Sequence, residues 1–551
     1  MIPFDRTTSA TAERAEQAAL GPRFAMWFPA AILAVGFLAR LYEAWAYFLD
    51  PDEALHALLS NQSSLGMAYK AAGTLAHPPL LILLLYYWHG LGHSGLMLRI
   101  PSVLAGTGCC WFAYLWLKEV TDKSTALLGL ILAAFAPAMI ALSAEVRQYA
   151  LLLFFMSACL YLSERAVRRD SKPLMVLFSL SLYGALLSHY SSLFLAVTLG
   201  VYMLARLRPY RERRTLFVVW GSGQAGGIAL SAFLVTNHLV RLRQAGMMNV
   251  DFDTYLRRSI FRPGERNVFS FLTVQTLRLF TQLFSHGIVG SLMLLAFLGG
   301  ILWLLRKNKK KISCETGPTS CELVLLLLLG FVINCGAALA GQYPYGGTRH
   351  SASLFLFAVT GASIGLASWR WFSGSGMRVA VTIALLLCNI FPAPPPPIRA
   401  RNQKLSLMQD AVSAFRQSAA PGSVVIADYE SGLLFGHYVC GHGVVQIFPP
   451  LRLFPRGDCG AYSVLATTPE HWKFYAGDFP EQLAGMIEKY GLPRRSKIWF
   501  FNAGWIEDSA PGLRGELRAL GCAEPAKFGE NIMFCEVEVP KHGERARDSN
   551  H

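Results

Sequence analysis

Charge is scarce in this chain. Asp, Glu, Lys and Arg supply only 15% of 551 residues, 53% are hydrophobic, and mean hydropathy is +0.37. Apolar runs exceed the about 10–14 residues of a buried soluble helix, which excludes an ordinary soluble domain and indicates a polytopic membrane protein. Other absences narrow the reading. No small-residue cleavage site follows the first apolar run, so it reads as a retained anchor. No internal repeat is evident, and the span centres are nearly free of ionisable residues, whereas a transporter or flippase would place such groups near mid-bilayer. No loop on the basic side is long enough to build a soluble nucleotide-sugar domain.

Eleven stretches approach the roughly 20 residues that cross the hydrocarbon: 24–44, 98–117, 124–142, 148–164, 173–188, 190–206, 215–238, 287–305, 322–341, 351–369 and 377–393. The net charge of +15 is uneven. Residues 1–400 carry 34 Lys+Arg against 18 Asp+Glu, and residues 401–551 carry 16 against 17, so the membrane part is +16 and the tail −1. The cations fall in every second connection: Lys118/Lys123, Arg165/Arg168/Arg169/Lys172, Arg206 to Arg214, Arg306 to Lys311 and Arg370/Arg378. By the positive-inside rule these are cytoplasmic, and an odd span count then places the C-terminal domain outside. One loop resists, because residues 239–286 should be external yet hold Arg241, Arg243, Arg257, Arg258, Arg262, Arg266 and Arg278. Either the count is off by one there, or this loop faces an anionic ligand such as lipid phosphate.

The expected organisation is a cytoplasmic tail (1–23), a transmembrane domain (24–393) with an external loop at 45–97, a Pro-rich linker (394–404), an extracytoplasmic α/β domain (405–540) and a disordered tail (541–551). Within the loop, Pro78 to Trp88 is too short to cross and reads as an interfacial helix. Pro392-Ala393-Pro394-Pro395-Pro396-Pro397 cannot continue a helix and forms a stiff spacer. Beyond it, strand-like runs at 423–427, 444–448, 462–466, 497–501 and 532–539 alternate with helical runs at 405–418, 480–490 and 512–520. Cys440, Cys459, Cys522 and Cys535 are an even set where disulfides can form, and proximity suggests 440–459 and 522–535. His437, Cys440, His442 and Cys459 also have the ligand types of a zinc site, but disulfide pairing is the preferred use, and no metal or other cofactor is expected.

The residues that draw attention lie at outer helix ends. Asp50-Pro51-Asp52-Glu53 places three carboxylates at the end of the first span, where charge is costly and usually functional. Acidic residues also start helices, so this cluster alone does not decide the matter. Glu145, Arg147, Gln148, His77, His189, Tyr190, Arg349 and His350 fall on the same face. Gly221-Ser222-Gly223-Gln224-Ala225-Gly226 fits a dinucleotide glycine pattern, but it lies within a span and lacks the acidic residue about 20 positions on. Close helix approach explains it better.

The acidic pair, the His77-Pro78-Pro79-Leu80 stretch, Leu98-Arg99-Ile100-Pro101-Ser102 and Ser143-Ala144-Glu145-Val146-Arg147-Gln148-Tyr149-Ala150 together resemble the polyprenol-dependent GT-C glycosyltransferases. These include protein O-mannosyltransferases and the bacterial aminoarabinose transferase that modifies lipid A. The resemblance covers roughly residues 24–210. It implies a mainly α-helical GT-C membrane fold with about eleven spans. It also implies transfer of a hexose or pentose, with inversion, from a polyprenyl-phosphate carrier to a hydroxyl of a glycolipid, polysaccharide or protein at the periplasmic face of the inner membrane. Asp52 matches the first acid of the family's pair and is the implied base, with Glu53 as its neighbour. Arg147 matches the second-loop motif. Arg349 is inferred from position as a second phosphate-binding candidate, and Glu145, His77, His189, Tyr190 and His350 are candidate binding residues. Where the family usually carries Lys before Pro-Pro, this chain has His77. A phosphate leaving group needs no general acid, so one carboxylate suffices to take the acceptor proton. The competing readings are a transporter or flippase, and a scaffold of a polysaccharide assembly system; no nucleic-acid partner is implied.

Overall fold

The long apolar runs form helices because a chain in hydrocarbon must satisfy its own backbone polar groups. The computed structural model describes residues 24–210, 214–244, 256–284, 286–307, 310–312, 316–369, 375–387, 403–441, 447–448, 452–453, 456–458, 461–467, 473–475, 477–493, 495–504, 509–522 and 524–539. The two expected tails, the Pro-rich run, Cys314, Cys388, His442, Cys459 and the Arg243 side chain lie outside the described residues. Two compact units result. The first comprises Met1–Tyr42, Pro101–Ala144 and Gln148–Pro395, and the second Glu43–Ile100, Glu145–Arg147 and Pro396–His551.

Among the described residues, seven helices are long and apolar enough to cross a membrane: Trp27–Ala46, Gly95–Val120, Tyr149–Arg169, Arg214–Leu242, Gly287–Arg306, Ser320–Leu339 and Arg349–Ser368. Lys123–Phe135 and Pro137–Ser143 make an eighth if read as one span bent by 58°. Pro137 causes the bend. It has no N–H to donate to the Ala133 carbonyl and forces Ala136 into an extended conformation (ψ 124°). Buried Arg40 fills the gap, donating from Nη2 to the Ala133 carbonyl (3.1 Å) and from Nη1 to that of Ala134 (2.8 Å).

All eleven expected stretches fall on helices where they are described. Three are shorter than a full span. Lys172–Ser188 has 17 residues and Ser192–Leu207 has 16. Ser375–Leu387 has 13, with residues 388–393 outside the described set. The resistant loop contains a further apolar helix, Val268–Phe284, which buries Phe271, Gln275, Leu279, Leu283 and Phe284. Its charges hid this helix in the sequence. Arg241, Arg257, Arg258 and Arg266 are exposed.

Small residues set a close helix contact in the first unit. Gly300 and Ala296 of Gly287–Arg306 meet Gly361 and Gly365 of Phe355–Ser368, and a Cβ on Gly365 would stand 1.8 Å from the Ala296 carbonyl oxygen. Only glycine lets these backbones approach so closely. The glycine-patterned stretch at 221–226 also packs a helix. A Cβ on Gly223 would strike Ser179 and one on Gly226 would strike Tyr183, whose hydroxyl donates to the Gly223 carbonyl (2.8 Å).

The second unit joins short helices Pro51–Ser60, Leu65–Ala72 and Leu80–Trp88 to an α/β fold. Its strands are β1 (Val424–Ala427), β2 (Ile447–Phe448), β3 (Arg452–Leu453), β4 (Arg456–Asp458), β5 (Ser463–Ala466), β6 (Lys497–Ala503), β7 (Ala526–Phe528) and β8 (Ile532–Glu538). Six of them form one sheet, β4-β5-β1-β6-β8-β7, while β2 and β3 pair separately. β1 runs parallel to both β5 and β6, whereas β4, β7 and β8 pair antiparallel. Helix Leu405–Ser418 buries Met408, Ala411, Val412 and Phe415, spacing 3-1-3, the period of an amphipathic helix. Phe415 meets Phe435, Tyr462, Trp499, Phe501 and Phe534 edge-on at 5.2–5.9 Å, the favoured aromatic geometry. Cys522 and Cys535 are bonded to each other. Cys440 is also in a disulfide, and its expected partner Cys459 lies outside the described residues.

Candidate active site

The acidic cluster is built by a helix start. Asp50 is the N-cap of Pro51–Ser60. Its Oδ1 accepts the Glu53 N–H at 2.8 Å, and Glu53 Oε2 accepts the Asp50 N–H at 3.0 Å, a reciprocal capping box with proline at the first position. The same box places Asp52 and Glu53 on different faces of the first turn.

Glu53 is fully buried and points inward. Arg99 grips it as a fork, Nε to Oε1 at 2.8 Å and Nη2 to Oε2 at 2.6 Å, and Oε1 also accepts the Val146 N–H at 2.7 Å. With the Asp50 N–H, four donors fill the roughly four acceptor positions of a carboxylate. Arg99 is equally committed. Its remaining donors reach the carbonyls of Ala44 (2.8 Å), Tyr47 (2.6 Å) and Phe48 (3.0 Å), so all five of its N–H groups are used. Sequence reasoning quoted Arg99 only as part of a motif and assigned it nothing. An Arg opening a membrane-length apolar helix was the signal available.

Asp52 points elsewhere. Its Oδ2 lies 2.7 Å from Arg147 Nη1, and its side chain is 14% exposed against 5% for Arg147. A partly accessible carboxylate paired with arginine is a usable base; one whose four acceptor positions are filled is not. Val146 connects the two pairs, since its N–H fixes the backbone beside Arg147 to Glu53. Glu145 is buried next to it, and His77 is half-buried in the turn before Leu80–Trp88. Asp52, Glu53, His77, Glu145 and Arg147 all belong to the second unit.

The other candidates belong to the first unit. Buried His189 accepts the Ser191 N–H at Nδ1 (3.1 Å), bonds the Ser191 hydroxyl (2.8 Å), and packs its ring 5.1 Å from Tyr149. His350 faces Tyr149, His189 and Tyr343 at 6.3–6.4 Å, and the Tyr343 hydroxyl donates to its carbonyl (3.0 Å). Tyr190 bonds His238 (2.6 Å), and Arg349 opens the short helix Arg349–Leu354. Sequence reasoning gave no role to Tyr149, which packs against His189 and His350, or to His238, which packs against Tyr190.

Residues 76–236 match the family described as dolichyl-phosphate-mannose-protein mannosyltransferase. The fold is that of ArnT from Cupriavidus metallidurans. The apo structure of ArnT is 12% identical over 93% of this chain and 98% of that one, with TM-score 0.50; the undecaprenyl-phosphate complex is 12% identical over 92% and 97%, also 0.50. The chain has the GT-C fold. The oligosaccharyltransferase of Archaeoglobus fulgidus is also similar, at 12% identity over 76% of this chain with TM-score 0.44, and the chain spans 63% of that protein's length. No curated protein sequence matches the chain.

Proposed function

We propose that this multi-pass membrane enzyme transfers a sugar, with inversion, from a polyprenyl phosphate to a hydroxyl acceptor at the extracytoplasmic end of its first helix. The observation that carries the reading is the Asp52–Arg147 pair, a base and an anion-binding fork 2.7 Å apart on a rigid support. Asp52 takes the acceptor's hydroxyl proton as that oxygen bonds the anomeric carbon. The carbon–oxygen bond to phosphate breaks, its electron pair leaves with the lipid phosphate, and Arg147 stabilises the departing charge. The shared arginine suggests an order. Arriving lipid phosphate competes for the Arg147 fork and releases Asp52 for the acceptor. The match to a dolichyl-phosphate-mannose family and the ArnT complex with undecaprenyl phosphate support a lipid-borne donor.

Glu53 serves in this reading as a positioning residue, because its four acceptor sites are already filled. Arg349, His77, Glu145, His189, Tyr190 and His350 remain candidates for binding the donor or acceptor. An inner-membrane location with the C-terminal domain outside follows the basic-loop pattern. A periplasmic reporter fused after residue 400 should be active, and activity of a cytoplasmic reporter there instead would reverse the orientation. The test of the base is Asp52→Asn. With undecaprenyl-phosphate mannose and a membrane extract as acceptor source, release of undecaprenyl phosphate should fall by roughly 10²–10⁴, while expression and insertion are unchanged. Wild-type turnover in the variant would remove Asp52 from the role.

A further inference from the structure

Three imidazoles meet at a place the transfer chemistry does not use. The sequence His89-Gly90-Leu91-Gly92-His93 has the His-x₃-His spacing common among zinc ligands. It is not presented on a regular helix. A short 3₁₀ turn, His89–Leu91, ends at Gly92 with φ +147°, a conformation glycine adopts readily, and the chain returns so that the His93 ring lies 4.7 Å from that of His89. Their Nδ1 atoms stand 2.8 Å apart. The Ser60 hydroxyl donates to the Ala57 carbonyl (2.9 Å), so His89 Nε2, 2.9 Å from the same oxygen, carries the proton that bonds it. His89 Nδ1 is then a lone pair, directed at His93.

These two rings and His437 line one small cavity of about 10 Å³, with Ala57, Leu58, Asn61 and Gly441 completing the wall. That is room for a single water-sized sphere. Among the described residues no carboxylate lines it, which disfavours calcium and magnesium, and neutral imidazole is a ligand suited to zinc, nickel and copper. Cys440, the other ligand type close to His437, is removed by its disulfide.

We propose that His89, His93 and His437 form a binding site for one divalent transition-metal ion of the zinc type. Among the described residues no three ligand side chains are already arranged around a metal position. The cation replaces the proton shared by the Nδ1 pair, which passes to His93 Nε2 so that both rings stay neutral: at metal–nitrogen distances near 2.0–2.1 Å and tetrahedral angles the two Nδ1 atoms must part by about 0.5 Å, and His437 closes from the cavity wall. Bound metal would tie the turn after Leu80–Trp88 to helix Tyr429–Tyr438 and, through Ser60, to the far end of the helix that carries Asp52.

The experiment uses the full chain in detergent, stripped with chelator and titrated with Zn²⁺ by calorimetry, alongside His93→Asn, His437→Asn and, as a control, His286→Asn. Expected are one saturable Zn²⁺ per wild-type chain, a rise in thermal midpoint on binding, at least tenfold weaker binding in the first two variants, and unchanged binding in the control. Comparing metal-free midpoints separates lost ligation from lost folding. Affinity should also fall at pH 5, where the imidazoles are protonated. No saturable Zn²⁺ on the wild type, or equal affinity in all three variants, overturns the site.

Discussion

Substituting Glu53 with glutamine separates an architectural carboxylate from a chemical one. The side chain keeps its shape but presents one oxygen and one NH₂ where two oxygens accepted four hydrogen bonds. Whichever way the amide turns, two donors face another donor: either Val146 N–H with Arg99 Nε–H, or Asp50 N–H with Arg99 Nη2–H. Arg99, fully buried, also loses its counter-charge. Breaking one partner of a buried pair costs about 3–5 kcal/mol, which corresponds to roughly 10² to several 10³-fold in a local opening equilibrium. Hydrogen exchange reads this directly, because the Asp50 and Val146 amides are both closed by the Glu53 carboxylate. Their exchange should quicken by that factor, the thermal midpoint should drop, and turnover should fall as Asp52 and Arg147 lose their common support. Unchanged exchange and midpoint with abolished turnover would refute the reasoning and make Glu53 a participant in the chemistry.

Further expectations follow from the same structure. Arg147→Lys keeps the charge at Asp52 but loses the fork, and should weaken donor use by about 10- to 100-fold, mainly in KM for the lipid-phosphate sugar; an unchanged KM would place phosphate recognition elsewhere. Burial pushes the Asp428 carboxyl above its ordinary 3.8, against the opposing hydrogen bonds from Ser431 and Phe474. The folded chain then holds a proton that the unfolded chain releases, so this contribution is complete below 3.8 and is lost as pH rises through the folded value. Asp428→Asn should flatten that descending limb in thermal midpoints taken across acidic pH, and an identical pH profile would contradict it. Gly365→Leu, forced against the Ala296 carbonyl, should destabilise by about 1–3 kcal/mol or more, read as a lower thermal midpoint; a neutral outcome would show that the two helices can part freely.

The membrane architecture was legible because a span announces itself in composition: twenty apolar residues cannot be hidden. Helix Val268–Phe284 was missed because Arg278 and the flanking arginines drew it into a loop, although its apolar residues recur at helical spacing. In the α/β domain, β1, β5, β6 and β8 were visible as β-branched and aromatic runs. Helix Tyr429–Tyr438 was not, since Gly432 and Gly436 dilute its pattern and its Asp428 cap reads equally as a turn. At the candidate site the cluster Asp50-Pro51-Asp52-Glu53 stood out as costly charge. The division between Asp52 and Glu53 could not be read, because it depends on partners 46 and 95 residues away, Arg99 and Arg147, and the choice among non-local partners is made by packing.

The five-way grip of Arg99 gives the chain a fixed datum. The carbonyls of Ala44, Tyr47 and Phe48, the end of the anchoring helix, and through Glu53 the beginning of the next helix, are all measured from one guanidinium. Substitutions among the remaining loops can therefore accumulate without moving Asp52 from its depth. A scaffold of this kind can exchange one acceptor for another over evolutionary time by redrawing its surroundings while its zero point stays where it was.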